Sequence, residues 1–262
     1  MTELPSYDWP APAPGAAPLP KMIAAQAGLE LRTLSRNGEQ LLLTLIIPVL
    51  LLVVFSSEAL ISVGPGSRIG FMAPGILALA VMSTSFTSLA IGTAFERRYG
   101  VLKRLGATPL SRTGLIAAKA LTVLTVETGQ VVIIVTVAAL LGWRPVVTVG
   151  TVAAALAVLV VGSAAFSGLA MLMAGTLRAE GTLAAANLVY LVLLGIGGVV
   201  FPLTKFPAAI RPALRLLPSG ALSDGLRSVL RYGVGLAWRD LLVLAVWAVV
   251  GIGLAARTFR WE

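Results

Sequence analysis

Between residues 40 and 256 the sequence returns six times to a long apolar run with almost no charge in it. A helix that crosses a bilayer needs about 20 apolar residues, within a range of about 17–25. The runs are 40–55 (extending to 61, with Pro48 as a kink), 71–95, 115–141, 147–176, 183–201 and 241–256. None alternates with period two, so helices are expected rather than strands of a barrel. Trp143, Trp238 and Trp261 fall at run ends, where indole rings favour the membrane interface. Of 262 residues, 58% are hydrophobic and 12% charged. A water-soluble domain has about 45–50% and about 25%. The expectation is an all-α integral membrane protein with six transmembrane helices.

The chain has no histidine and no cysteine. This excludes disulfides, Cys/His metal sites and Ser-His or Cys-His catalytic pairs. Asp224 and Asp240 lie outside the firm spans, so a paired-aspartate membrane protease is not supported. No catalytic residue and no metal ligand is assigned. The net charge is +9. In a membrane protein such an excess marks cytoplasmic loops and anionic headgroups, so membrane lipid rather than nucleic acid is the expected partner.

Residues 1–20 hold six prolines and read as a disordered or polyproline tail, without the basic start and apolar core of a cleavable signal. Residues 21–38 form an amphipathic helix, with Ile23, Ala27, Leu31 and Leu34 on one face. It suits either the membrane interface or the surface of another subunit. Lys21, Arg32 and Arg36 precede the first span, and Arg97, Arg98, Lys103, Arg104 and Arg112 follow the second. By the positive-inside rule both termini and the 96–113 loop are cytoplasmic. Residues 202–236 would then be outside, against the charge of Lys205, Arg211, Arg215, Arg227 and Arg231. Within them Pro202, Pro207, Pro212 and Pro218 separate short pieces, with Ser219 as cap of a helix to about Tyr232 that Gly233 ends. Such pieces suit short re-entrant helices between spans five and six. Arg in preference to Lys, with much Ala, Val and Gly, points to a bacterial plasma membrane.

Three features carry candidate function. In 95–112 a basic loop encloses Val101, Leu102 and Leu105, and Pro109 separates it from the next span, whose start Ser111 caps. It is either a solvated turn anchored to headgroups or a short helix offering Leu102 and Leu105 to a partner. Within the membrane, Glu127 is either a proton or cation site or a hydrogen-bonded structural residue. Lys119, two turns before it, can snorkel to the cytoplasmic side. Small residues at 162–168 and 251–255 read as helix packing.

The stretch 96–111, Glu-Arg-Arg-Tyr-Gly-Val-Leu-Lys-Arg-Leu-Gly-Ala-Thr-Pro-Leu-Ser, resembles the loop of ABC-2 transporter permeases, notably the daunorubicin-resistance type. The Gly-Val-Val-Phe-Pro of 198–202 and the Leu-Pro of 217–218 resemble the same family after span five. The resemblance implies a coupling helix over 96–110 that docks an ATPase subunit, with Glu96, Arg97, Gly100, Leu102, Arg104, Leu105, Thr108 and Pro109 in its motif. Lys119 matches the family's lysine in the next span, while Val101 and Lys103 replace its usual Thr and Glu. It implies a substrate path along spans two and five, with Met82, Phe86, Asn187 and Tyr190, and Glu127 beside it. It also implies a separate ATPase carrying ATP and Mg, since this chain has no phosphate-binding loop motif and no cofactor of its own. A second permease, identical or paralogous, completes the pair. The function so implied is outward export of a drug, antibiotic or lipid-like substrate. The alternative is an ion-coupled secondary transporter using Glu127.

Overall fold

A computed structural model describes residues 15–38, 42–57 and 67–258. These residues contain helices and no strand. They form α1 (Leu19–Arg36), a π-helical stretch (Leu42–Ile46) leading into α2 (Ile47–Ser57), and α3 (Arg68–Val81). A second π-helical stretch (Met82–Ser88) joins α3 to α4 (Leu89–Arg98), followed by α5 (Val101–Gly106), α6 (Arg112–Leu140), α7 (Val149–Thr176) and α8 (Ala179–Ile196). Two short helices, α9 (Arg211–Leu214) and α10 (Pro218–Leu230), precede α11 (Trp238–Thr258).

Among the described residues, five helices are long and apolar enough to cross a membrane: Arg68–Arg98, Arg112–Leu140, Val149–Thr176, Ala179–Ile196 and Trp238–Thr258. The run expected over 40–61 contributes a shorter apolar helix, Thr44–Ser56. Residues 39–41 and 58–66 of that region lie outside the described residues, as do residues 1–14 of the proline-rich tail and Trp261. Span five stops at Ile196 rather than 201, because Gly198 adopts a left-handed φ of 70° and turns the chain away. Ser111 caps α6 as expected, its Oγ accepting the Gly114 N–H at 3.1 Å. Ser219 does not cap: α10 begins at Pro218, whose missing N–H suits a first helical turn, and the buried Ser219 Oγ has no partner.

The continuous helix Arg68–Arg98 is the centre of the bundle, with its apolar window wholly buried. Around it stand α2, α6, α7 and α8, with α10 against its first half. Phe86 meets Phe166 of α7 edge to face at 6.1 Å between centroids. α11 runs along α7 in the most extensive helix pairing among the described residues. A Cβ on Gly168 would stand 2.8 Å from the Ile252 nitrogen, and one on Gly251 would stand 3.0 Å from the Gly168 carbonyl carbon. Small residues let backbones approach where lipid supplies no hydrophobic drive for helix association.

α1 does not lie free of the bundle. Its first residue, Leu19, meets the position of Gly114, and Glu30 meets Lys119. Eleven residues of α1 thus advance beside five of α6, about 16 Å against about 8 Å of helix rise, so α1 crosses α6 obliquely. α1 thus packs on α6 of its own chain. Trp143, expected at the interface, is buried in the loop after α6.

Gly168→Leu should separate α7 from α11 and cost about 1–3 kcal/mol, as overpacking does. Gly181→Ala, with nothing within 4 Å of the added carbon, should leave stability unchanged. Thermal unfolding of the purified protein in detergent measures both.

Candidate functional site

The basic loop folds as a helical hairpin. α4 ends where the Tyr99 and Gly100 N–H groups donate to Phe95 and Arg97 carbonyls at 2.9 and 3.1 Å. Gly100 takes a φ of 70°, which an L side chain rarely adopts, and α5 starts in a new direction. Thr108 Oγ1 donates to the Leu105 carbonyl at 2.6 Å, and exposed Pro109 stops the chain from running straight into α6. Of the motif residues, Arg104, Thr108 and Pro109 are exposed, and Leu105 is half-buried.

Leu102 is the exception: it is only 2% exposed and anchors α5 to its own chain. The expectation that Leu102 and Leu105 together face a partner is corrected here. A six-residue helix has little area of its own to bury, so of its three apolar side chains Leu102 alone turns fully inward. The outward surface is Tyr99, Val101 and Arg104, while exposed Lys103 lines a cleft between α5 and the start of α6.

Ion pairs fix this hairpin to the bundle. Lys119 Nζ on α6 lies 2.7 Å from Glu96 Oε2 on α4 and 3.4 Å from Glu30 Oε1 on α1. Gln26 Nε2 donates to Glu30 Oε1 at 3.0 Å. The lysine side chain is 6% exposed, so it does not snorkel to water. Two carboxylates beside it neutralise a charge that could not stay unpaired there. Arg97 donates to the Leu177 carbonyl, and Arg98 pairs with Glu180, so the α7–α8 junction holds the same hairpin.

Above the triad lies a cleft of about 440 Å³ between α1, the second π stretch, α4 and α6. Glu30, Glu96 and Lys119 line it, with Thr84 and Ser88 from the π stretch. Deeper, Thr84 Oγ1 donates to Gln130 Oε1 at 2.9 Å, and Gln130 Nε2 donates to the Thr44 carbonyl. The Gln130 amide thus joins α6 to both π-helical stretches.

The residues expected along a substrate path do not share one cavity. Met82 and Phe86 are buried in the intrachain core, because the central helix is covered on every side. Asn187 is exposed on α8, and Tyr190 is half-buried. Glu127 is 6% exposed, beside the Ser85 and Ser163 hydroxyls, with no hydrogen bond to its Oε1.

At the opposite end of the bundle Arg227 of α10 makes a second knot. Its guanidinium donates to the carbonyls of Phe71 at 3.3 Å, Val199 at 2.7 Å and Gly198, and lies 3.7 Å from the Phe71 ring centroid. Asp224 Oδ1 stands 3.6 Å away. Arg211 likewise donates to the Phe206 and Thr204 carbonyls, both at 2.8 Å. Much of the positive charge in 202–236 thus serves main-chain oxygens that the prolines leave outside regular helix.

The sequence reading missed the partners of these groups: Glu30 and Glu96 for Lys119, Glu180 for Arg98, and the 198–199 turn for Arg227. A signal was present. Glu30 is the one acid among residues 21–38, and Lys119 is the one lysine in the third span.

A family model described as ABC-2 family transporter protein matches residues 58–257. No curated protein matches the chain.

Lys119→Met should leave Glu30 and Glu96 facing each other without their cation and cost about 3 kcal/mol. Adding Glu30→Gln and Glu96→Gln should recover most of that loss. Thermal unfolding, with proteolysis of α1 as a local probe, measures the difference.

Proposed function

Since this chain belongs to the ABC-2 transporter family, we propose that it is the membrane-spanning permease of an ABC exporter of the daunorubicin-resistance type. It moves a lipophilic drug or lipid-like substrate outward. A separate ATPase subunit hydrolyses the ATP, and a second permease, identical or paralogous, completes the path. The apolar helix Thr44–Ser56 belongs to a sixth span that opens the domain. Both termini and α5 lie on the cytoplasmic side of a bacterial plasma membrane, and α9 and α10 are re-entrant elements of the outer side.

The observation that carries this reading is the clamped hairpin. α5 and the turn before it offer Tyr99, Val101 and Arg104 outward while the hairpin base is tied to α1, α6 and the α7–α8 junction. A push on α5 is then transmitted to several spans together rather than absorbed by a loop. ATP-driven closure of the ATPases would bias the permease pair between inward-facing and outward-facing states in this way. The cleft beside Thr84 and Ser88 offers a mixed polar and apolar wall for the substrate, in place of buried Met82 and Phe86.

Co-purification with the ATPase tests the docking face. Tyr99→Glu with Arg104→Glu should abolish the complex and leave membrane insertion intact. Leu102→Ala should instead lower stability by about 2–5 kcal/mol, as loss of a buried leucine does. An undiminished complex in the double variant sinks the reading.

Sidedness is tested in the cysteine-free chain. Lys205→Cys should react with an impermeant maleimide in intact cells, and Arg104→Cys should not. The opposite pattern overturns the orientation.

Glu127→Gln should retain ATP-dependent transport in inside-out vesicles with the proton gradient collapsed. Transport that dies with the gradient in the wild type, and is lost in the variant under all conditions, would replace this reading with proton-coupled transport.

A further inference from the structure

Two concavities share one residue. The first is an apolar groove of about 450 Å³ between α6, α7 and α11, walled by Ile116, Leu124, Ser167, Met171 and Ala256, with Arg112 at one end. It exists because α11 packs closely on α7 while α6 and α7 stand apart along this stretch. The second is a mixed cleft of about 410 Å³ between α5 and the start of α6, where Leu105 and Leu115 stand beside Lys103, Ser111 and Arg112. Arg112 lines both, so the apolar groove and a cleft carrying two cations meet at one side chain.

Length and charge identify what fits. From Arg112 to Leu124 the groove follows about 18 Å of helix. The hydrocarbon of one leaflet is about 15 Å deep, half of about 30 Å. A groove of one leaflet's depth, apolar along its length and basic at its membrane-surface end, matches an amphiphile with an acyl chain and an anionic head. A small anion would leave the apolar part empty, and a hydrocarbon would leave the cations unused. Arg112 has an interaction within the chain as well, but a guanidinium carries five N–H donors and serves more than one acceptor.

We propose that this is a site for an anionic phospholipid of the leaflet on the α5 side. One acyl chain lies between α6, α7 and α11, and the headgroup phosphate meets Arg112 and Lys103 behind α5. The lipid then braces the outward-facing short helix from its rear. The site depends only on the chain's lying in a bilayer, not on the transport reading above.

The test uses the full chain reconstituted in vesicles of phosphatidylcholine mixed with phosphatidylglycerol, then extracted in mild detergent. Native mass spectrometry counts the lipid that stays bound. The wild type should keep phosphatidylglycerol in preference to phosphatidylcholine. Lys103→Gln and Arg112→Gln should each weaken that retention about fivefold. Ser167→Trp should block the apolar groove and lose the lipid with both cations in place. If Ser167→Trp fails to fold, Ala256→Leu narrows the same groove from α11. Arg144→Gln, at the far end of α6, should change nothing. Equal retention by all variants would mean surrounding lipid only and overturn the site. Displacement by soluble glycerol phosphate as readily as by intact lipid would also overturn it. So would Ser167→Cys cross-linking to a second copy, which would make the groove a subunit interface.

Discussion

Hydrocarbon offers no water to a polar group, so a charged or main-chain polar group buried in this bundle is costly unless the chain gives it a partner. Three places show how that constraint organises the fold. Gln130 of α6 donates to the Thr44 carbonyl of one π-helical stretch and accepts from the Thr84 hydroxyl of the other. Lys119 would be an isolated cation without Glu96 and Glu30. Arg227 gathers the carbonyls of Phe71, Gly198 and Val199, at a turn where regular helix has ended. Each repair joins elements distant in the chain, whereas α11 is held on α7 by the close fit of Gly168 and Gly251.

Rigidity at the α5 end follows. Glu96 is tied to α6 and α1, while Arg97 and Arg98 are tied to the α7–α8 junction. The Arg98–Glu180 pair is exposed on both sides and contributes less than about 1 kcal/mol, so its value is geometric. The Lys119 cluster is the buried one and holds the hairpin base. In contrast, α6 and α7 diverge between that base and Glu127, which leaves the lipid-facing groove open. The same end therefore combines a fixed lever with an unfilled wall.

Much of the architecture was legible beforehand. Apolar run length located the helices, because a bilayer imposes a length that few soluble helices reach. Ser111 as cap, the break at Pro109 and the end near Gly233 followed from local backbone chemistry, which depends on near neighbours alone. The small residues of α7 and α11 read correctly as packing, since Gly168 and Gly251 do meet. The candidate site was less legible. Leu102 looked like an exposed anchor because it stands among charges in sequence, yet the hairpin turns it inward. Met82 and Phe86 looked like a path because they are amphiphilic with their neighbours, yet their helix is the one that all others cover.

What the sequence determined by itself is the class of structure: helices in a membrane, a basic hairpin with a helix break, and a proline-divided segment before the last span. Those properties depend on hydrophobicity and on φ/ψ preferences, which are local quantities. Only the tertiary structure decided which charges meet, which apolar residues are covered, and where a groove remains. Helix periodicity shows that a side chain has a face, but every face of a lipid-embedded helix is apolar enough to be buried or exposed. The choice is made by a few long-range polar contacts, Lys119 with Glu96 and Glu30 above all, whose partners are separated by 23 and 89 residues of chain.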